Sequence, residues 1–188
     1  TEYFGHSISL NGSGNRLAIS SVYSDYDGNA NTGHVRVHNW NGSAWATFGN
    51  DISGVHQDNL GESVSLSNDG NILAISANAN PDNRIQVYEY LDVSGDWYQL
   101  GDDLIGDNSY VSLSSNGKTL AFSKVRSAKI YEYSDTSQNW YIRDNLEFDE
   151  SVESVSISDD GSVLAVGKPL SDEGGVDRGK VTFFSFAS

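Results

Sequence analysis

The chain has 188 residues, no cysteine and a formal net charge of −15 at pH 7. This length is enough to bury a hydrophobic core, and the absence of cysteine excludes a disulfide framework and thiol chemistry. Because a strongly negative surface repels phosphate backbones and anionic lipids, the composition argues against nucleic acids and membrane surfaces as partners. It favours cations or a basic protein instead.

The first predicted element is a hairpin, FGHSISLNGSGNRLAIS at residues 4–20, and it recurs at 60–76, 110–123 and 152–167. Two markers in each copy give the same intervals of 56, 47 and 44 residues. The markers are Ile8, Val64, Val111 and Val155 in the first strand, and Leu17, Leu73, Leu120 and Leu164 in the second. Agreement of both markers in every interval indicates true internal repetition.

Each copy reads as four short antiparallel strands, A to D, in chain order. Strand A alternates polar and apolar residues, an Asn-Gly or Asp-Gly turn follows, and strand B is an almost continuous apolar run. Strand C alternates again, and strand D carries Trp45, Trp97 or Trp140, which we interpret as packing between repeats. Four strands in about 45 residues are typical of a β-propeller blade. We therefore predict an all-β propeller with blades at 1–59, 60–108, 109–150 and 151–188.

The fourth copy departs from this plan, because no tryptophan strand follows its strand C at 181–186. The pattern thus predicts fifteen strands, with the outer strand of the last blade missing. We expect more propeller sequence in a parent chain, or a partner chain, to complete the assembly. A closed four-bladed propeller is the alternative.

The repeated FG-x-S-[IV]-S-L hairpin, the Asp/Gly/Asn loop after it and GHVRVHNWNGSAW resemble the FG-GAP-type repeats, which are related to the integrin α-chain propeller. Phe4-Gly5 opens the first copy, and Gly167-Lys168-Pro169 retains the "GAP" segment. The resemblance spans the whole chain. It implies a propeller carried on a large microbial or algal surface protein, hence an extracellular or cell-surface location.

The longest loop between strands B and C offers oxygen ligands of the kind that Ca²⁺ prefers. The resemblance implies a calcium loop here, with Asp25, Asp27, Asn29 and Asn31 as candidate ligands. Tyr23 stands where the family pattern has its first carboxylate. The loop of the fourth copy, with Asp172 and Asp177, is a shorter second candidate. The alternative is that Asp, Asn and Gly are here only as loop formers.

Two sequons, at Asn11 and Asn41, predict N-glycosylation in turns on one side of the propeller. The opposite side carries the B–C and D–A loops. Because propeller ligands bind at loop-rich surfaces, we expect the binding face there, with Tyr23, Tyr26, Asp82 and Arg126.

The motifs contain no nucleophile elbow and no phosphate-binding glycine loop. We therefore predict a non-catalytic adhesion or structural interaction module that binds a protein or glycan, with calcium as an assisting ion. One alternative is an enzyme acting on polysaccharide with carboxylates at the central channel. Another is an accessory subunit docked on a large complex through the free strand edge of residues 180–187.

Overall fold

The computed structural model describes residues 3–25, 30–79, 83–106, 110–172 and 178–186. This part of the chain is all-β and forms four antiparallel sheets arranged as the blades of a propeller. Among these residues, no helix is long and apolar enough to cross a membrane. The predicted fold class is confirmed.

In each blade the strands lie in chain order from the inner edge to the outer edge. Blade 1 contains β1 (Phe4–Leu10), β2 (Arg16–Ser21), β3 (His34–Trp40), β4 (Trp45–Thr47) and β5 (Ile52–Ser53). Blade 2 contains β6 (Leu60–Leu66), β7 (Ile72–Ala77), β8 (Arg84–Leu91), β9 (Asp96–Gln99) and β10 (Leu104–Ile105). Blade 3 contains β11 (Val111–Leu113), β12 (Thr119–Lys124), β13 (Ser127–Ser134) and β14 (Asn139–Glu147). Blade 4 contains β15 (Ser154–Ile157), β16 (Val163–Lys168) and β17 (Lys180–Ser185). Within the described residues blade 4 therefore has three strands, as expected.

The outer strand of blades 1 and 2 differs from the prediction. Ile52 and Ser53 follow the four predicted strands of blade 1, but they form a fifth strand, β5, which pairs with β3 beyond the end of β4. In blade 2, β10 continues β9 in the same way. A glycine separates the two halves: Gly49 in blade 1 and Gly101 in blade 2, at φ +73° and +79°. A Cβ at Gly101 would lie 2.8 Å from Cδ1 of Trp140, so the next blade's tryptophan occupies the space beside this glycine.

Three hydrophobic cores lie between successive blades, not within them. Between blades 1 and 2, for example, Val35 and Val37 pack with Leu73, Ile75 and the buried indole of Trp97. The Trp97 and Trp140 Nε1–H groups donate to the carbonyls of Phe48 and Leu100 in the preceding blade, at 3.1 and 2.8 Å. Because one blade cannot cover its own faces, each requires its neighbour.

The inner strands of neighbouring blades are joined by serine side chains. The hydroxyls of Ser7 and Ser9 on β1 accept hydrogen bonds from the N–H groups of Val64 and Leu66 on β6, at 3.1 and 3.0 Å. The same arrangement recurs at the later junctions. There Ser63 and Ser65 accept from Val111 and Leu113, and Ser112 accepts from Ile157. The alternating serines of strand A thus contribute hydrogen bonds to every blade interface.

The two ends of the array are exposed. Ile8 and Leu10 on β1 are 66% and 57% exposed, and Val181 and Phe183 on β17 are 58% and 69% exposed. The four blades therefore form an open arc, and the alternative of a closed four-bladed ring does not fit.

Candidate functional site

A small pocket lies on the B–C/D–A side, where blade 1 meets blade 2. Its volume is about 220 Å³, and among the described residues it is lined by four residues that have amide side chains and come from three loop segments. These residues are Asn31, Gln57, Asn59 and Asn78. Because an uncharged amide both donates and accepts hydrogen bonds, this lining suits a neutral ligand rich in hydroxyl or carbonyl groups.

Three of these residues hold an unusual backbone conformation. Asn31, Gln57 and Asn59 have φ values of +51°, +60° and +49°. Such values are uncommon outside glycine, and they concentrate at functional sites. Two hydrogen bonds between the loops maintain them: Gln57 N–H donates to Ala30 O at 3.1 Å, and Asn59 N–H donates to Asn31 O at 3.0 Å.

Among the four pocket residues, Asn59 has a side-chain oxygen with unused hydrogen-bonding capacity. Its Nδ2 donates to the carbonyl of Asn78 at 3.2 Å. Its buried Oδ1 has no hydrogen-bond partner among the described residues. Since buried polar atoms are nearly always paired, a bound water or ligand group is the natural partner.

A buried ion pair holds the loop that contains Gln57 and Asn59. The Asp58 side chain is fully buried, and its Oδ2 accepts from Arg84 Nη2 at 2.5 Å and from Val55 N–H at 3.2 Å. Arg84 also lies 3.3 Å from Asp103 Oδ2. Burial raises the pKa of the Asp58 carboxyl, although Arg84 counters the shift. Because Asp58 has no exposed surface, it positions Gln57 and Asn59 and does not reach a ligand itself.

A second group of polar residues lies at the inner rim of the propeller. His6, Glu62 and Glu153 occupy corresponding positions near the start of strand A in blades 1, 2 and 4. His6 Nε2 lies 3.6 Å from Glu62 Oε1, and Glu153 is exposed. Glu62 and Glu153 are thus carboxylates at corresponding positions of strand A.

The predicted calcium ligands are only partly described. Asp27, Asn29 and Asp177 lie outside the described residues, and Asp172 is exposed. Asp25 Oδ1 accepts from the N–H of Asn31 at 2.8 Å, so this carboxylate closes the loop around which the amide pocket forms. Within the described ranges no three His, Asp or Glu side chains come together as a metal site. Calcium binding stays a prediction.

The two sequons differ in structure. Asn11 is buried, and its Nδ2 donates to Ser13 Oγ and Asn15 Oδ1, at 3.1 and 2.9 Å, within the β1–β2 turn. A sugar on that nitrogen would replace one of its two N–H donors and would need space in a buried turn, so the geometry disfavours Asn11. Asn41 lies in the exposed turn between β3 and β4, where its Oδ1 accepts from Ser43 and Ala44.

Of the proposed binding face, Tyr23 and Arg126 are described, while Tyr26 and Asp82 lie outside the described residues. Tyr23 is 44% exposed and contacts Tyr3 edge to face, with ring centroids 5.2 Å apart. Arg126 is exposed in the β12–β13 turn of blade 3. Tyr23 precedes the amide pocket in the same loop, whereas Arg126 belongs to another blade. The pocket residues Gln57, Asn59 and Asn78 were not among the predicted site residues.

No protein-family model matches the sequence, and no curated protein matches it. The FG-GAP resemblance is therefore not confirmed. The fold matches solved structures instead. Kuenenia stuttgartiensis hydrazine synthase aligns with a TM-score of 0.63 and 14% identity over 96% of this chain and 58% of that chain.

Two further structures show the same likeness. The periplasmic gluconolactonase PpgL of Pseudomonas aeruginosa aligns with a TM-score of 0.63 and 12% identity over 97% of this chain and 57% of that one. TolB of Acinetobacter baumannii aligns with a TM-score of 0.56 and 17% identity over 95% of this chain and 43% of that one. At such identities the likeness shows the fold alone. The chain spans 43–58% of the length of these three structures, and the likeness establishes a β-propeller architecture.

Proposed function

We propose that the chain is a non-catalytic recognition module that binds a neutral glycan in the amide pocket between blades 1 and 2. The observation that supports this most directly is the convergence of Asn31, Gln57 and Asn59, all with positive φ, on one pocket with an unpaired Asn59 Oδ1. Amide side chains match sugar hydroxyls, which donate and accept in turn. An extracellular or surface-attached setting is part of the same proposal.

The test uses Asn78→Ala, which removes one lining amide but keeps the backbone carbonyl that Asn59 Nδ2 uses. Neutral hexose oligosaccharides are titrated into ¹⁵N-labelled protein, and side-chain amide shifts are followed by NMR. We expect shifts confined to the pocket amides and at least about tenfold weaker binding by Asn78→Ala, equivalent to about 1.4 kcal/mol.

Asn145→Ala is the matched control, since Asn145 is an exposed amide on β14 whose Nδ2 donates to Glu147. It should bind like the unmodified chain. Unchanged pocket amides over the whole titration series would refute the proposal.

A hydrolase acting on polysaccharide or lactone is the second candidate, supported by Glu62 and Glu153 at corresponding inner-strand positions. Several propellers of similar fold are named as lactonases. Turnover of a glycoside and lactone panel, lost in Glu62→Gln and retained in Asn78→Ala, would replace the binding proposal with this one.

Calcium is proposed as an accessory of the loop that contains Asp25 and Asn31. If it binds there, millimolar Ca²⁺ raises the unfolding temperature through mass action, and Asp25→Asn reduces the increase. An unfolding temperature that is the same with Ca²⁺ and with chelator would remove calcium from the proposal.

A further inference from the structure

The face of blade 1 that points away from blade 2 has the composition of a blade interface. We call it the leading face and define it by Ile8, Leu10, Leu17 and Ile19. The residues of blade 2 that correspond to the first two are Val64 and Leu66, which are 6% and 7% exposed because blade 1 covers them. Ile8 and Leu10 are 66% and 57% exposed. The leading face therefore has core residues without a covering blade.

The opposite end of the array shows the complementary surface. We call it the trailing face and define it by Val163, Val181 and Phe183 of blade 4. Phe183 pairs with the alanine of strand B in blade 4, and it therefore corresponds to the strand-C residues that pair with this alanine in the other blades. Those residues are Val37, Val87 and Ile130, which the next blade covers and which are 1%, 1% and 0% exposed. Phe183 itself is 69% exposed.

The hydroxyl and N–H groups that join the inner strands of neighbouring blades are also present at both ends of the array. Ser63 and Ser65 of blade 2 accept from the next strand A, and the residues that correspond to them in blade 4 are Ser154 and Ser156, both exposed. On blade 1, the positions that correspond to the donors Val64 and Leu66 are Ile8 and Leu10. The leading face therefore offers two N–H donors where the trailing face offers two hydroxyl acceptors.

The trailing face also has a groove that fits the start of a strand A. In the blade 1–2 junction Gly61, at φ +103°, lies against Ser20 and Val35 of blade 1. The residues of blade 4 that correspond to Ser20 and Val35 are Gly167 and Val181, and both line an open groove of about 680 Å³.

The residue of blade 1 that corresponds to Gly61 is Gly5, at φ +90°. A Cβ built on Gly5 would contact nothing within 4 Å. The glycine that such a groove requires is thus already present on the leading face.

We propose that a second copy of this chain docks its leading face on the trailing face of the first. Because each chain has one face of each kind, two copies can form two identical junctions and close a ring of eight blades, within the size range of known propellers. The chain covers 56–58% of the length of four solved structures with similar fold and 38–43% of four others, so four blades amount to about half of such a chain.

The outer rim takes no part in this docking. In blade 2 the Trp97 indole donates to a strand-D carbonyl of blade 1, whereas the described part of blade 4 has no strand D. Trp40 and Trp45, which pack on each other with centroids 5.6 Å apart, therefore stay exposed beyond the junction. The buried part of the junction is the inner half, from the serines of strand A to Phe183.

Sedimentation velocity and native mass spectrometry of the 188-residue chain test the proposal. At about 50 µM, where a complex of micromolar affinity is populated, we expect a dimer of two 20.4-kDa chains. Since each copy has a net charge of −15, raising the salt concentration should strengthen the dimer by screening repulsion between the copies.

Two variants separate head-to-tail docking from other modes. Ile8→Asp disables the leading face and Phe183→Asp the trailing face, so each variant alone should be monomeric. An equimolar mixture should recover a dimer, because the intact trailing face of the first variant meets the intact leading face of the second. A symmetric contact of one face with itself cannot give this recovery.

Val93→Asp is the matched control, since Val93 is an apolar residue that is 95% exposed in a turn, away from both faces. It should dimerise normally. At a concentration low enough for the unmodified chain to be monomeric, all three variants should unfold at the temperature of the unmodified chain. A monomer at every concentration, as expected if further blades of a longer parent chain or another protein cover these faces, would overturn the proposal. So would an open-ended series of oligomers, or no recovery in the mixture.

Discussion

Two glycines at corresponding positions provide a direct measurement of how tightly the blades pack. Gly5 and Gly61 both lie at the irregularity near the start of strand A, between Phe4 and Ile8 in blade 1 and between Leu60 and Val64 in blade 2. Their φ values are +90° and +103°. A Cβ at Gly5 meets nothing within 4 Å, whereas a Cβ at Gly61 would lie 2.6 Å from Cβ of Ser20.

Alanine at either glycine has the same local effect on the free energy of unfolding. The positive φ costs about 1–2 kcal/mol, and the reduced freedom of the unfolded chain returns about 0.4–1 kcal/mol. Gly5→Ala should therefore lower the free energy of unfolding by about 1 kcal/mol. Gly61→Ala adds overpacking of the blade 1–2 junction, which costs about 1–3 kcal/mol more.

Urea unfolding is the assay, carried out in the monomeric Phe183→Asp background so that docking does not bury Gly5. With a slope of about 2 kcal/mol/M, the two midpoints should differ by about 0.5–1.5 M. Equal midpoints would show that the junction relaxes around the added methyl group, and the reasoning from close blade contact would then be refuted.

Two further predictions concern hydrogen bonds. Trp140→Phe removes the Nε1–H donor to the Leu100 carbonyl and should cost about 1–3 kcal/mol, whereas Trp45→Phe, at a 43% exposed position, should cost clearly less in the same urea assay. Asp160 caps its turn, and hydrogen bonds from serine groups hold its pKa at about 2. Because this folded-state pKa lies below the unfolded value, the stabilisation is present above about pH 4 and is lost as the pH falls toward 2. The stability difference between Asp160→Ala and the unmodified chain should therefore shrink over that interval in pH-dependent thermal melts, with Asp159→Ala as the control, and a difference that does not change with pH would refute it.

The architecture could be predicted from the sequence because each blade repeats the same local patterns. Alternation in strand A, the turn residues and the apolar strand B each recur at matching intervals, and the structure has a blade for every copy. The division of strand D into two segments could not be predicted, because Ile52 and Ser53 are too few residues to show the alternation of a β-strand. Their pairing with β3 depends on the preceding Gly49 and on Trp97 of the next blade.

The amide pocket was harder to predict for a physical reason. Its residues come from two B–C loops and one D–A loop, so no spacing in the chain brings Asn31 together with Gln57 and Asn59. The positive φ of Gln57 depends on a hydrogen bond to a carbonyl in another loop. The available signal was compositional: an amide on each side of Asp58, facing an asparagine-rich loop.

The serine junction has a consequence for how such a chain can change over evolutionary time. Since every junction joins a strand-A hydroxyl to a backbone N–H, this part of the contact is the same for any pair of neighbouring blades. Unequal crossing-over between the four similar segments would then add or remove whole blades without creating a junction that lacks these hydrogen bonds. Blade number becomes a heritable variable that selection can adjust, while each new unit arrives with its contacts already specified.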